Sequence, residues 1–156
     1  MNKSLIIMYR KGVSAIIINK NNEFILVNLE SFKNKYFAIP GGGVEHGETL
    51  ENAAYREVYE ELGIAKTSLQ FVGKSNIPIR FKFKVIKLNR DGKDYGGSER
   101  YFFGFRFIGN DNEIKLNDGE VRSYKWTSFA QLKDYLLFDG QLKNTQKKIK
   151  EIFTDF

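Results

Sequence analysis

This chain of 156 residues predicts an α/β fold, a mixed sheet flanked by helices. Three observations carry that expectation. Two apolar, β-branched runs at 12–19 and 23–29 are joined by Lys20-Asn21-Asn22, a turn-forming triplet. The stretch 50–62 lacks Gly and Pro, follows Thr49 as a candidate N-cap, and ends at Gly63, where a left-handed C-terminal cap belongs. A third segment, 141–153, carries Leu142, Ile149, Ile152 and Phe153 at helical spacing.

The remaining elements follow in order. The two opening runs are expected as a hairpin of central strands, residues 31–35 as a polar surface loop, and 36–39 as a short strand leading into Pro40. Gly41, Gly42 and Gly43 then supply a backbone free to take unusual dihedrals and to approach a ligand closely. After the helix, 69–74 reads as a strand, and Ile77-Pro78-Ile79 interrupts the pattern. Residues 80–88 alternate basic and apolar side chains, a strand with Arg80, Lys82 and Lys84 on its wet face. The Gly- and Asp-rich stretch 89–97 reads as a connection, with nothing in its sequence to say whether it closes over a substrate. In 99–108, Tyr101, Phe103, Phe105 and Phe107 share one strand face, expected to be core and not a base-stacking platform. Further expectations are a strand at 113–116, a loop at Asn117-Asp118-Gly119, a strand at 123–126, and a helix at 129–137 capped by Ser128. The closing helix should be basic outside through Lys143, Lys147, Lys148 and Lys150.

Composition narrows the function classes. The length suits one domain spanning 1–156 with a real core, and 42% hydrophobic against 28% charged residues excludes a disordered chain. With no cysteine there is no disulfide framework, thiolate zinc site or thiol nucleophile. The only apolar run near the start is short, and no segment approaches ~20 apolar residues, so neither a secretion signal nor a membrane span is expected. A cytoplasmic location is the default, with no membrane association and no stable protein partner inferred. The net charge of +6 suits a polyanionic substrate.

The chemistry concentrates in the helix at 50–62. Glu57, Glu60 and Glu61 stand at i, i+3 and i+4, within roughly a 100° sector of one face, while Ala54, Val58 and Leu62 form an apolar flank. Three carboxylates this close raise one another's pKa values unless a cation compensates them, and hard oxygen ligands suit Mg²⁺ or Mn²⁺ better than zinc. Taken alone, the three glutamates describe an ordinary solvated face. The glycines ahead of them change that reading, as do Glu48 and Arg56, whose ion pair would pin the loop to the helix and orient the glutamates.

Gly42, five residues, Glu48, seven residues, then Arg56-Glu57-Val58-Tyr59-Glu60-Glu61-Leu62-Gly63-Ile64 resembles the complete Nudix box, without departure at its fixed positions. The resemblance implies a Nudix-type α/β/α sandwich and a metal-dependent pyrophosphohydrolase acting on a nucleoside diphosphate linked to another group. It also implies that Glu57, Glu60 and Glu61 hold the metal with the Gly41 carbonyl, and that Arg56 and Glu48 form the brace. Glu120, six residues before Trp126, resembles a glutamate that in several members of the family reaches the metals or acts as general base. His46, the only histidine, sits at a variable box position and is read as a loop residue without catalytic duty.

A looser resemblance extends along the chain. Tyr9-Arg10 before the first strand, Val13, and Gly96-Gly-Ser-Glu-Arg-Tyr-Phe102 are similar to the bacterial RNA pyrophosphohydrolases and their dinucleoside polyphosphate hydrolase relatives. That group has Pro-Gln-Gly-Gly where this chain has Pro40-Gly41-Gly42-Gly43, an entrance common in nucleotide-sanitising members. That departure weakens the substrate assignment and leaves the chemistry untouched; the expectation leans to an RNA 5′-end or a dinucleoside polyphosphate, with two alternatives. One is a nucleoside triphosphate pyrophosphatase, the other a non-catalytic nucleotide- or RNA-binding module. Arg10, Arg80 and Arg100 are the candidates for holding phosphates, a task suited to guanidinium geometry. Whether Glu120 or a box glutamate deprotonates the attacking water stays open at this stage.

Overall fold

The computed structural model describes residues 8–88 and 94–156, and the side chains of all of these except 83–88 and 94. Strand β1 (Tyr9–Ile18) runs through the centre, pairing in parallel with β6 (Asp94–Phe107) along ten residue pairs from Tyr9 and Gly97 to Ile18 and Arg106. On the far side lies β2 (Phe24–Leu29), which pairs antiparallel with β7 (Val121–Thr127). The sheet order is β4-β6-β1-β2-β7, where β4 is Leu69–Lys74; β3 (Gly41–Gly43) pairs β1, and β5 (Ile79–Leu88) pairs β6.

The expected hairpin opens. Only Ile18 and Phe24 pair directly between β1 and β2, after which the strands diverge. The chain from Ala38 to Gly43 enters the gap: Val27 and Ala38 exchange backbone hydrogen bonds, and Ala15 N–H donates to the Pro40 carbonyl. The strand expected at 36–39 is therefore a single bridge at Ala38, and the glycines expected as a free loop are the short strand β3. None of the three glycines has a positive φ.

Alternation along β1 divides the core between the two faces of the sheet. Val13, Ala15 and Ile17 meet helix α1 (Leu50–Leu62) through Ala53, Ala54, Val58 and Leu62. Phe103, Phe105 and Phe107 join this cluster with Tyr101 at its margin, so the aromatic stripe is core, as expected. Ile16 and Ile18 face the other way, toward Leu132 and helix α2 (Gln141–Ile152). The result is an α/β/α sandwich with a mixed sheet. Among the described residues no helix is long and apolar enough to cross a membrane.

Several local expectations are corrected. Residues 113–116 are not a strand; a 3₁₀ turn at Asp111–Glu113 takes their place. The segment after Ser128 does carry a capping box with Gln131, but its helix is a 3₁₀ helix, Phe129–Asp134. Residues 94–97, read as connection, belong to β6; residues 89–93 lie outside the described residues, as does the side chain of Lys84. Phe81 is half-exposed although its alternation predicts burial, because β5 pairs only with β6 and stands beyond the main layers.

Lys148 is the sharpest correction. Expected on the wet face of α2, it is 1% exposed, on the side shared by Thr145, Ile149 and Ile152. Its ammonium donates to Ser75 Oγ and the Ile77 carbonyl, both at 2.6 Å, and to Glu151 Oε2 at 3.2 Å. The segment leading into β5 is thereby tied to α2.

Candidate active site

Three packed glycines create the site. A Cβ on Gly41 would stand 2.0 Å from the Val13 carbonyl, one on Gly42 2.4 Å from the Glu57 carboxyl, and one on Gly43 2.4 Å from Arg10 Nη2. They are needed for room, not for dihedral freedom.

Helix α1 starts where the Thr49 side chain accepts from Asn52 N–H, and stops at Gly63, whose φ of 68° lies in the left-handed region. With Ala54, Val58 and Leu62 buried, helical geometry carries Glu57 and Glu61 toward the sheet at β3. Both are buried, at 8% and 2% exposure, whereas Glu60 remains exposed. Glu61 Oε1 accepts from Gly41 N–H at 2.7 Å and forms no ion pair among the described residues. Burial pushes its carboxyl up to about 8; the Gly41 amide opposes the shift, and the charges of Glu57 and Glu120 add to it. The Glu57 carboxyl is also raised, chiefly by burial, with Arg56 acting against it.

Arg56 organises the loop. It donates from Nε to Glu48 Oε2 at 2.7 Å, and from Nη2 to Glu48 Oε1 at 2.9 Å and the Gly43 carbonyl at 2.8 Å. This two-point pair holds the Glu48 carboxyl below its ordinary range. Nη1 reaches Glu57 at 3.0 Å and Glu60 at 3.2 Å. The expected brace is thus present, and it also binds two of the candidate metal ligands.

Glu120 lies near enough for its charge to act on the same carboxylates. Gly119, with φ of 85°, turns the chain, Asn117 Nδ2 donates to Glu120 Oε2 at 2.8 Å, and Glu30 N–H holds the Glu120 carbonyl. The carboxyl lies close enough to press on the titration of both Glu57 and Glu61. A sequence separation of about sixty residues gives no local signal of this proximity.

The three arginines separate. Arg100 Nη1 donates to the Val13 carbonyl and Ser14 Oγ, each at 3.1 Å. Burial lowers its pKa and the charges of Glu61 and Glu57 raise it, so it lies beside the carboxylates. The exposed Arg10 lays its guanidinium against Gly43 and its charge acts on Arg100. Arg80 is held elsewhere: it donates to Glu99 at 2.8 Å and lies 5.1 Å from the Tyr9 ring centroid. The register explains this, since Arg80 pairs with Glu99 and so faces opposite to Arg100, the next residue of β6. His46 is exposed in the loop before α1, away from these contacts.

Sequence reasoning missed Ser14, which stands alone as a hydroxyl in an apolar run, and a cavity of about 290 Å³ that opens beside it. Gly41, Glu61 and Arg100 form one end of that cavity, and Phe32, Phe102 and Phe138 line it.

Residues 8–153 match the NUDIX domain. The chain belongs to that family. Among curated relatives, an RNA pyrophosphohydrolase of Pelagibacter ubique is 34% identical over 149 residues, covering 92% of each chain. An RNA pyrophosphohydrolase of Wolbachia pipientis is 33% identical over 128 residues, 80% of this chain and 77% of that protein. Among solved structures, the E. coli dihydroneopterin triphosphate pyrophosphohydrolase has a TM-score of 0.69 at 18% identity, covering 95% of this chain and 99% of its own. A C. elegans Ap4A hydrolase complex has a TM-score of 0.67 at 19% identity, covering 93% and 99%. These two likenesses share the Nudix fold described above.

Nudix hydrolases generally use divalent metal ions. In this chain the donor chemistry fits such an ion: all candidate ligands are oxygens, and Glu57 and Glu61 are buried acids whose ionisation lacks full compensation. Among the described residues no three acidic or imidazole side chains are gathered in ligand geometry; Glu60 and one oxygen of Glu57 pair with Arg56.

Proposed function

We propose that this Nudix chain is a Mg²⁺-dependent pyrophosphohydrolase, with Mn²⁺ able to substitute, that cleaves the phosphoanhydride of RNA 5′-triphosphate ends or dinucleoside polyphosphates. The observation that carries the reading is the pair of buried acids Glu57 and Glu61 on α1 against Gly41–Gly43, with Arg10 and Arg100 alongside. The RNA pyrophosphohydrolase relatives support the substrate class.

Glu57, Glu60, Glu61, Glu120 and the Gly41 carbonyl are the groups that would hold the metal. When bound, Mg²⁺ neutralises phosphate charge and aligns the displaced oxygen with the incoming water. Arg10 is the exposed guanidinium for the outer phosphates, and Arg100 supports the inner ones from beneath β3. Arg80, also a phosphate candidate from its sequence, is less suited because Glu99 already compensates it. Glu120 is the group we assign to take the proton from the attacking water, being exposed and adjacent to Glu57 and Glu61. The single-domain organisation and cytoplasmic location belong to the same proposal, supported by the basic, cysteine-free composition.

The test is product analysis with Mg²⁺ on triphosphorylated RNA, dinucleoside polyphosphates and free nucleoside triphosphates, with Glu57→Gln as the blank. Release of pyrophosphate or phosphate from RNA ends, or of nucleotides from dinucleoside polyphosphates, with loss of at least about 100-fold in the variant, is the expected result. Faster turnover of free nucleoside triphosphates would move the assignment to nucleotide sanitation, and ligand binding without turnover would make the chain a binding module. Unchanged activity in Glu57→Gln would overturn the metal-ligand assignment.

A further inference from the structure

Helix α1 covers its face of the sheet only as far as Val13. Toward the start of β1, the same face carries side chains of a different kind. Lys11, Glu99 and Arg80 form one row across β1, β6 and β5, and Tyr9, Gly97 and Lys82 form the next, two residues along and so on the same side. At ordinary strand spacing and rise the two rows frame an area of roughly 10 Å across the strands and 7 Å along them. Three cations share it with one acid. Lys11 and Lys82 are exposed and form no ion pair among the described residues, and the Arg80 side chain remains 62% exposed although it donates to Glu99.

Glu99 lies beneath these groups, buried, and accepts from the Tyr101 hydroxyl as well; Tyr101, then Arg80 and Lys11, hold its carboxyl below its ordinary range. The acid fixes Arg80 and leaves the surface positive. Gly97 makes room for an aromatic ring among the cations. A Cβ there would stand 2.7 Å from Tyr9 Cε1, so the ring lies across the glycine, and the Arg80 guanidinium sits over it, 5.1 Å from the centroid. The patch adjoins the candidate active site. Val44 N–H donates to the Lys11 carbonyl at 3.1 Å, one residue beyond the Gly43 carbonyl that Arg56 holds.

We infer that the face formed by Tyr9, Lys11, Arg80 and Lys82 binds the single-stranded RNA that continues beyond the 5′-terminal nucleotide. The inference rests on the function proposed above and extends it from the reacting phosphates to the chain behind them. Unpaired nucleic acid needs positive charge for its phosphodiesters and flat π surfaces for its bases. Lys11 and Lys82 supply the first, and the Tyr9 ring with the guanidinium over it supplies the second. Arg80, poorly suited to the reacting phosphates because Glu99 compensates it, is well suited here, since the same carboxylate holds it in place beside the ring. An acidic protein would use the ammonium groups alike and gain nothing from the ring.

The test uses the full chain. Fluorescence anisotropy in EDTA, with 5′-hydroxyl RNAs of two and about ten nucleotides, reads the face without turnover and without a terminal phosphate. Mg²⁺-dependent hydrolysis of triphosphorylated RNAs of the same lengths reads its use in the reaction. The longer RNA should bind at least about tenfold more tightly. Lys11→Ala combined with Lys82→Ala should lower the slope of log affinity against log salt by about 1.4, two contacts at about 0.7 each. Lys20→Ala combined with Lys66→Ala, in turns at the other end of the sheet, should leave the slope unchanged. Tyr9→Ala should weaken the longer RNA at least about fivefold, the worth of one stacked base, and Tyr9→Phe should not. In turnover the Lys11 and Lys82 pair should raise KM for the longer RNA, with kcat and the dinucleotide's constants unchanged. An unaltered slope in that pair, equal losses in both lysine pairs, or polyglutamate bound as tightly as RNA would overturn the inference while leaving the hydrolase proposal standing. Length-dependent RNA binding that the Lys11 and Lys82 pair abolishes, without turnover of any substrate, would support the face and defeat the hydrolase proposal.

Discussion

Replacing Glu61 with Gln should remove a pH-dependent weakness of the metal-free protein. Burial raises this carboxyl from its ordinary 4.5 to about 8, with the charges of Glu57 and Glu120 adding to the shift. A folded-state pKa above the unfolded value means the folded protein holds the proton more tightly. The associated stability is fully present below about pH 4.5 and is lost as pH rises through about 8. At about 1.4 kcal/mol per pKa unit, the difference between 8 and 4.5 corresponds to roughly 3–5 kcal/mol. Glutamine keeps an oxygen for the Gly41 amide and cannot ionise. Urea unfolding in EDTA at pH 5, 7 and 8.5 should therefore give two curves that separate with rising pH, the variant losing less stability. The relevant quantity is the difference between the proteins, since other titrations are common to both. Mg²⁺ added at pH 8.5 should recover most of the loss in the unaltered protein and little in the variant. Parallel pH profiles, differing by a constant offset, would refute the buried-acid argument.

Other consequences follow from the same contacts. Gly42→Ala sets a methyl 2.4 Å from the Glu57 carboxyl, so turnover should drop at least about tenfold with Tm changed far less, as activity and thermal melts would record. Arg56→Lys loses the two-point hold on Glu48 and the bond to the Gly43 carbonyl. Denaturant titration should show about 1–3 kcal/mol of destabilisation, with a higher metal concentration needed for activity. Lys148→Met should destabilise by only about 1–2 kcal/mol in the same assay. Ser75 Oγ keeps Glu151 Oε2 at 2.8 Å and the Ile77 carbonyl at 3.2 Å, and the partly exposed Glu151 can turn to water.

Local signals were sufficient wherever a pattern repeats within a few residues. Thr49, Gly63 and the spacing of Ala54, Val58 and Leu62 mark α1 correctly to its ends, because caps and helical period are short-range properties. The aromatic alternation of β6 likewise identifies the stripe that becomes core. The Arg56–Glu48 pair was legible because eight residues bring it together across a single loop.

What the sequence by itself determined, then, was the long strands and the two α-helices, the acidic face of the first helix and its family. The tertiary structure alone decided depth and convergence. Helical spacing puts Glu57 and Glu61 on one face, but their burial follows from the opening of β1 from β2 and the wedging of Gly41–Gly43 between them. Lys148 is interior because Ser75, Ile77 and Glu151 meet its ammonium there, and Arg80 parts from Arg100 because a two-residue period places Glu99, the cross-strand partner of Arg80, and Arg100 on opposite faces. Periodicity fixes direction around a helix or strand. How much water remains in that direction depends on segments far away in sequence, and the site is made where those segments meet.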